Sequence, residues 1–338
     1  MEFNHSGPSA QLPMSRFLSL LGLCFLIVAV PVVASPALIV SNYPEEISEP
    51  GILFSGPIPA TSTRTMYYHV NRSPHDLTLR VLLQNNSNKP ESIHITKGLG
   101  GPSSDGIYAG HRSAKLFWDG LQGIDTETVK VPPNSRLTIL SHAFKPDMIS
   151  TGIFELTTAH PESIKLVIGV MDSNFETTSF LNTPSTSYVC GTFFPAIKSL
   201  PVTYNFELPI KDISIGNEPF LTDNLKGIVL RGNYGMTYDI TINCQNPSPF
   251  AREVNLLFSP AGGVTRGILM INKKVIETGL LGGTFNSVPE KIFSAMVPAK
   301  SSSTLSVQLF PQGGCFYPVN LVLYSPRLTE NQTQAKGI

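Results

Sequence analysis

The sequence has few charged residues and no excess of either sign. Charged side chains make up 14% of the 338 residues, with 24 basic and 24 acidic ones, whereas soluble globular proteins average about 25%. A nucleic-acid-binding domain needs a basic surface to neutralise phosphates, so the composition argues against a nucleic-acid partner. The 27 glycines and 28 prolines instead predict short strands joined by many turns.

The sequence also lacks the motifs that identify common enzyme sites. It contains no GxxxxGK[ST] phosphate loop, no HExxH helix and no GxSxG serine elbow. Its four cysteines include no CxxC pair, which argues against a simple zinc or redox motif. We therefore expect no cofactor, and the sequence favours a non-enzymatic protein.

Long apolar runs are absent except near the start of the chain. Residues 17–34 carry no charge, follow Arg16, and end with Val32 and Ala34, two small residues at the spacing of a cleavage site. This layout predicts a secretory signal peptide that is cleaved after Ala34. The alternative is an uncleaved segment that tethers the protein to a membrane, since its length is at the lower limit for a span. Both interpretations predict an extracytoplasmic protein, periplasmic or secreted.

Cysteine is scarce beyond this segment, where only Cys190, Cys244 and Cys315 occur. An odd number allows at most one intramolecular disulfide and leaves one thiol over. Cys244 and Cys315 are the candidate pair, and Cys190 with Cys315 is the competing pair. The interpretation that we favour is that the thiols are buried or idle and form no disulfide.

A block of strand and turn signals occurs twice, at residues 77–170 and 238–323. Each copy has an alternating strand, a Gln followed by Asn-x-Ser, a Gly-Gly pair and a Val-Pro turn. The corresponding residues are Gln84, Gly101 and Val131 in the first copy and Gln245, Gly263 and Val297 in the second. The Gln-to-Gly separations are 17 and 18 residues, and the Gln-to-Val separations are 47 and 52. We therefore predict an all-β fold of two tandem immunoglobulin-like β-sandwich domains.

The two copies differ between the Gly-Gly pair and the Val-Pro turn. In the first, residues at helical spacing predict a helix over Ile107 to Leu121, capped by Ser104 or Asp105. In the second, residues 267–278 predict a β-hairpin with an Asn-led turn. The predicted organisation is an N-terminal extension with signal peptide or anchor (1–34), a lead-in (35–60), a first sandwich with the helix near 107–121 (61–171), a linker (172–187), a second sandwich (188–325) and a tail (326–338).

Histidine is absent after residue 160, so a metal or acid–base site would belong to the first sandwich. We expect binding residues around the Gly-rich loop and the helix. The candidates are His69, Asn71, Gly100, Gly101, Asp105, His111 and Trp118. A metal-binding alternative uses His69, His111 and Asp105, although no local ligand spacing supports it. The competing interpretation is that these are packed structural residues.

Aromatic residues gather in the same region, and an exposed subset would make a sugar- or protein-binding surface. The competing interpretation is that they fill the core. The residues concerned are Tyr67, Tyr68, Tyr108, Phe117 and Trp118.

Several short phrases resemble a group of uncharacterised secreted bacterial proteins with paired immunoglobulin-like β-sandwich domains, over most of residues 50–325. These phrases are His69-Val70-Asn71, Gly98-Leu99-Gly100-Gly101-Pro102, Gly110-His111-Arg112 and Gly262-Gly263 with Arg266-Gly267. The resemblance implies compartment and fold and transfers no functional residue.

We expect a non-enzymatic binding or structural protein of the cell envelope, with a protein or polysaccharide partner. The alternative is a metal-binding protein or metal-dependent enzyme with its site in the first sandwich.

Overall fold

The described part of the chain contains 22 strands and one α-helix. The computed structural model describes residue 1 and residues 35–42, 45–172, 191–208, 210–223, 227–283 and 288–326. The predicted signal segment lies outside the described residues, as does all of the predicted linker except residue 172. From Ser35 onward the described residues form one compact unit. No helix in this part of the chain is long and apolar enough to cross a membrane.

The predicted all-β class is confirmed. The elements before residue 173 are β1 Ala37–Ser41, β2 Glu46–Ile47, β3 Gly51–Pro57, β4 Ser62–Asn71, β5 Leu77–Asn85, β6 Glu91–Leu99, α1 Gly106–Leu121, β7 Thr126–Val131, β8 Arg136–Phe144, β9 Ile149–Thr157 and β10 Ile164–Asp172. The elements after residue 190 are β11 Gly191–Phe193, β12 Ile197–Asn205, β13 Ile210–Ile215, β14 Leu221–Thr222, β15 Val229–Leu230, β16 Thr237–Asn246, β17 Arg252–Pro260, β18 Thr265–Ile271, β19 Lys274–Leu281, β20 Glu290–Val297, β21 Ser301–Leu309 and β22 Val319–Tyr324.

Two sheets, which we call the first sheet pair, enclose one hydrophobic core. Their strand orders are β11-β1-β4-β9-β6-β7, with β2 beside β4, and β3-β10-β5-β8. Leu79 and Leu83 of β5 pack there with Ile95 of β6 and Leu156 of β9, and all four are buried. Inner faces that interdigitate in this way make a β-sandwich-like layer structure.

A second sheet pair encloses a second core. Its strand orders are β12-β16-β21-β18-β19 and β13-β22-β17-β20, and the short β14 and β15 pair with each other. Ile240 and Ile242 of β16 meet Leu256 and Phe258 of β17 and Leu321 of β22, and all are fully buried.

The first strand of the structure is a central strand and not a lead-in. β1 runs parallel to β4 on one side and antiparallel to β11 on the other. All five residues of β1 are buried, as expected for a continuous apolar run that is covered on both faces. The first sheet pair therefore includes residues from the predicted lead-in and from residues 191–193, which the sequence assigned to the second sandwich.

The predicted helix is confirmed at Gly106–Leu121, within one residue of its expected start. Asp105 caps it, because its carboxylate accepts a hydrogen bond of 3.0 Å from the backbone N–H of Tyr108.

Helix α1 lies between the two sheet pairs. It packs on β6 and β9 of the first pair and on β18 of the second. A third hydrophobic cluster forms around it, and its buried members are Met66, Ala114, Phe117, Trp118, Ile153, Ile268 and Phe310. The helix is therefore buried from both sides and joins the two halves.

A buried arginine also connects the two sheet pairs beside α1. The guanidinium of Arg64 on β4 pairs with Glu155 at 3.0 Å and donates to the Gly235 carbonyl at 3.2 Å and to Thr237 Oγ1 at 2.6 Å. It also lies over the ring of Phe117, 5.2 Å from the centroid. Because Gly235 precedes β16 and Thr237 is its first residue, this one side chain connects β4, α1 and the second sheet pair.

One sheet of each pair contains four strands in a similar order. The order β4-β9-β6-β7 in the first corresponds to β13-β22-β17-β20 in the second. Between β6 and β7 the chain forms α1, and between β17 and β20 it forms the predicted hairpin of β18 and β19. The hairpin turns at Asn272 and Lys273, whose φ angles of 47° and 67° fit a two-residue turn with positive φ at both positions.

Candidate binding cleft

His69 and Asn71 lie at the end of β4 and are fully buried. The Nε2 atom of His69 is 3.0 Å from the Ser41 hydroxyl. The Asn71 amide donates to the carbonyls of His75 and Phe144 at 2.8 and 2.9 Å, and its oxygen accepts from the backbone N–H of Ser73. Both side chains therefore satisfy backbone and core groups where β4 ends, and neither faces solvent.

The Gly-rich loop is packed tightly against its neighbours. A Cβ atom on Gly100 would overlap the backbone of Ala109 in α1, and one on Gly101 would overlap the carbonyl of Ile149 in β9. The glycines thus allow the loop to pass between helix and sheet.

His111 and Trp118 are buried on the inner side of α1. The Nε2 atom of His111 is 2.7 Å from the Glu277 carboxylate on β19, and Arg266 reaches the same carboxylate at 3.6 Å. Burial lowers the pKa of His111 more strongly than Glu277 raises it. Trp118 packs on Phe310 with ring centroids 5.4 Å apart. Both side chains therefore contribute to the packing of α1 against the second sheet pair.

The three residues of the metal-binding alternative are not brought together. His69 contacts Ser41, His111 contacts Glu277, and Asp105 caps the helix. Among the residues that the structure describes, no group of three or more His, Cys, Asp or Glu side chains is arranged to hold a metal ion.

Cys244 and Cys315, the candidate disulfide pair, are both free and buried thiols. Cys244 belongs to the core of the second sheet pair. The Cys315 thiol instead accepts a hydrogen bond from Gln312 Nε2 at 3.2 Å and donates to the Arg266 carbonyl at 3.6 Å. Cys190, the competing partner of Cys315, lies outside the described residues.

An open cleft lies next to these buried residues, where the first sheet pair meets the second. We call it the junction cleft. It has a volume of about 300 Å³ and is lined by Asn42, Glu45, Met66, Tyr68, Tyr234, Gly313, Gly314, Cys315 and Phe316. Tyr68 follows the buried Tyr67 along β4, and successive strand residues face opposite sides of the sheet. Tyr68 is half-buried and is the member of the predicted aromatic group that lines this cleft, whereas Tyr108 is exposed and does not line it.

The walls of the junction cleft are held by close backbone contacts. The loop from β21 to β22 lies against the first turns of α1, where a Cβ on Gly110 would overlap the Gly313 carbonyl. The Tyr234 hydroxyl donates to the Cys315 carbonyl at 3.0 Å. These contacts fix Tyr234 and the loop between β21 and β22 relative to α1.

The cleft presents neutral phenols and one carboxylate. Burial, with smaller effects of Glu45, Cys315 and Asp105, raises the pKa of Tyr68 to about 12. Burial, followed by Cys315 and Glu45, also raises the pKa of Tyr234 to about 12. Both rings stay protonated near neutral pH and can donate hydrogen bonds. Burial likewise raises the pKa of the Cys315 thiol, which disfavours the nucleophilic thiolate.

Three other clefts among the described residues are larger than the junction cleft. The smallest of the three, of about 370 Å³, is lined by Gln84, Asn85, Asn86, Asn134, Ser135 and Arg136. The remaining two have more apolar linings. One, of about 470 Å³, shares Asn42 with the junction cleft and is lined by Val40, Gly191, Phe193, Ile228, Val229, Leu230 and Arg231. The other, of about 430 Å³, lies on the second sheet pair around Leu208, Ile210 and Tyr324. The junction cleft differs in combining several aromatic rings with a carboxylate and an amide, the combination of apolar surface and few polar groups that is typical of ligand sites.

Sequence reasoning missed most of this cleft. The Tyr67-Tyr68 pair was a usable signal, because a strand must turn one of two adjacent rings outward. Glu45, Tyr234 and Phe316 carried no local signal, since they come from three distant parts of the chain and meet only in the folded structure.

Comparisons with known proteins assign no family. No protein-family model matches the chain, and no curated protein matches it. Among solved structures, the CBM22-1–CBM22-2 tandem domain of Paenibacillus barcinonensis Xyn10C is 8% identical; the match covers 85% of this chain and 95% of that one, with a TM-score of 0.17. A mutant laccase from B. aclada is 8% identical, with coverage of 78% and 48% and a TM-score of 0.14.

Proposed function

We propose that this chain is an extracytoplasmic, non-enzymatic binding protein of the cell envelope. In this proposal it consists of two tandem immunoglobulin-like β-sandwiches, and it binds a polysaccharide in the junction cleft. The junction cleft is the observation that carries the proposal. Its aromatic rings offer flat apolar surfaces, while Asn42, Glu45 and the two tyrosine hydroxyls offer hydrogen-bonding groups to a hydroxyl-rich ligand.

The two-sandwich part of the proposal is supported by hydrogen bonds that recur in both halves. The Asn85 amide donates to the carbonyls of Lys89, Val131 and Pro132. The Asn246 amide donates in the same way, to Phe250, Val297 and Pro298. In each copy the Asn oxygen accepts from the backbone N–H of the serine two residues on, Ser87 or Ser248. These contacts fall on the repeated Asn-x-Ser and Val-Pro positions of the sequence.

The compartment rests on the sequence alone, namely on the apolar segment at residues 17–34 and its small-residue exit. Fusion of residues 1–40 to a reporter enzyme that is active only outside the cytoplasm tests it. Activity that depends on residues 17–34 supports export, and activity confined to the cytoplasm contradicts it.

Polysaccharide binding is tested with Phe316→Ala, which removes a lining ring that is 57% exposed. Phe250→Ala is the matched control, because Phe250 is 45% exposed and does not line the cleft. Purified bacterial envelope polysaccharides are the probes in sedimentation assays. Loss of an aromatic ring that packs against the sugar in an open site costs about 1 kcal/mol or more, so we expect affinity to fall about fivefold or more for Phe316→Ala only.

Three results would contradict the proposal: no polysaccharide binds, both variants bind like the wild type, or both lose affinity equally. Retention of an envelope protein in place of polysaccharide, again sensitive to Phe316→Ala only, would assign the cleft to a protein partner.

A further inference from the structure

The described residues that line the junction cleft carry a negative charge and no positive one. Among the described residues that line it, Glu45 is the one charged side chain, and it is exposed. Arg231 lines the adjoining cleft on the other side of Asn42 and does not line this one. The N-terminus of α1, which would otherwise attract anions, is already capped by the Asp105 carboxylate. A ligand therefore meets negative charge here without a compensating cation.

The aromatic rings that line the junction cleft also favour a cationic ligand. The faces of Tyr68, Tyr234 and Phe316 carry the negative part of the ring quadrupole, which attracts cations. Met66 adds a polarisable thioether to the same wall. Several rings beside one carboxylate form the kind of site that accepts an alkylated ammonium group.

The titration behaviour of the lining groups agrees with a negative potential. Glu45 is exposed only in part, and the desolvation of its remaining surface, followed by the charge of the neighbouring Glu46, raises its pKa. The carboxylates of Glu45 and Asp105 both contribute to the raised pKa of Tyr68. A bound cation would offset the repulsion that these groups now experience.

We infer that the junction cleft takes a cationic group, an alkylated ammonium carried by the polysaccharide, with the charge held by Glu45 and the aromatic faces of Tyr68, Tyr234 and Phe316. This inference rests on the proposed function and specifies its ligand. A neutral sugar would use the same rings and hydroxyls but would leave the Glu45 charge uncompensated.

The test compares choline with 3,3-dimethyl-1-butanol, which has the same shape and hydroxyl group but no charge. Both are titrated into the full protein and followed by ligand-observed NMR. We expect choline to bind about tenfold more tightly, since charge and ring faces together contribute about 1.4 kcal/mol or more. Glu45→Gln should remove most of this difference. Glu46→Gln is the matched control, because the adjacent Glu46 pairs with the exposed Arg72 instead and does not line the cleft.

Equal binding of the two probes, or choline binding that is unchanged in Glu45→Gln, would overturn the inference, as would failure of choline to bind. Each of these results leaves the proposed function standing if an uncharged polysaccharide still binds in a manner sensitive to Phe316→Ala. Choline binding without any polysaccharide binding would instead support the cation site and contradict the proposed function.

Discussion

Asn85 and Asn246 show how single side chains close the ends of strands. Each residue is 1% exposed, and its amide donates to three backbone carbonyls at the strand end. Asn71 plays a similar part after β4. Asparagine suits this role because its amide can donate twice while its oxygen accepts from the next turn.

Alanine at either position should destabilise the protein by a similar amount. Asn85→Ala and Asn246→Ala each remove the amide donor from three backbone carbonyls at a strand end. We expect each change to lower the free energy of unfolding by about 1–3 kcal/mol. Urea denaturation measures the change. Asn86→Ala is the control, because Asn86 is exposed and should stay within about 0.5 kcal/mol. A large loss at one site and none at the other would contradict equivalent roles.

His142 makes the stability of the first sheet pair depend on pH. Its Nε2 atom hydrogen-bonds the Ser150 hydroxyl, and burial lowers its pKa from 6.5 to about 4. Between these values the unfolded chain binds a proton that the folded chain does not. The stabilising effect is therefore complete above about pH 6.5 and is lost as the pH falls to about 4.

We expect His142 to account for a loss on the order of 2–3 kcal/mol over that range. His111, whose pKa is also lowered, acts in the same direction. Denaturation at pH 7 and pH 4 should show a smaller loss for His142→Gln than for the wild type. The exposed His160 provides a control, His160→Gln, that should keep the full loss. Equal losses in the two variants would refute the assignment.

Helix α1 is the element that distinguishes the two halves, and it acts as the joint between them. Its inner side carries small residues and glycine so that β6, β9 and β18 can approach closely. Gly110 is unfavourable for an isolated helix. In this position it is required, because a side chain would collide with the Gly313 backbone.

Gly110→Ala should therefore destabilise the protein, although replacing a helical glycine with alanine usually stabilises a protein. In an exposed helix this change stabilises by about 1 kcal/mol, whereas here we expect a loss of about 1–3 kcal/mol from the forced separation of helix and loop. Thermal unfolding measures it. Arg112→Ala, on the exposed side of α1, should stay within about 0.5 kcal/mol. A more stable Gly110→Ala protein would show that the helix and the 313–314 loop are not in contact.

Local signals predicted the elements well. The cap at Asp105, the helix to Leu121 and the hairpin turn at Asn272 follow from rules that involve only a few neighbouring residues. The same signals failed wherever distant segments decide the outcome. The central place of β1 depends on its pairing with β4 and β11.

At the scale of the whole molecule, four of the binding residues proposed from the sequence lie inside the structure. His69, Asn71, His111 and Trp118 are each at most 4% exposed. The junction cleft is lined by other residues nearby, including Tyr68 and the 313–314 loop that Gly110 contacts. Hydrophobic packing around α1 brings Glu45, Tyr234 and Phe316 together across more than 270 residues of chain (45 to 316). No spacing rule reports such a meeting.

The central claim is that ligand binds in the junction cleft, and the methyl group of Met66 tests it most directly. Met66 lines the cleft, whereas Met296 is exposed on β20, outside it. In protein labelled with ¹³C at methionine methyl groups, oligosaccharides released from bacterial envelope polysaccharide should shift the Met66 signal progressively and leave Met296 unchanged. A saturable shift at Met296, or binding without any change at Met66, would contradict the account.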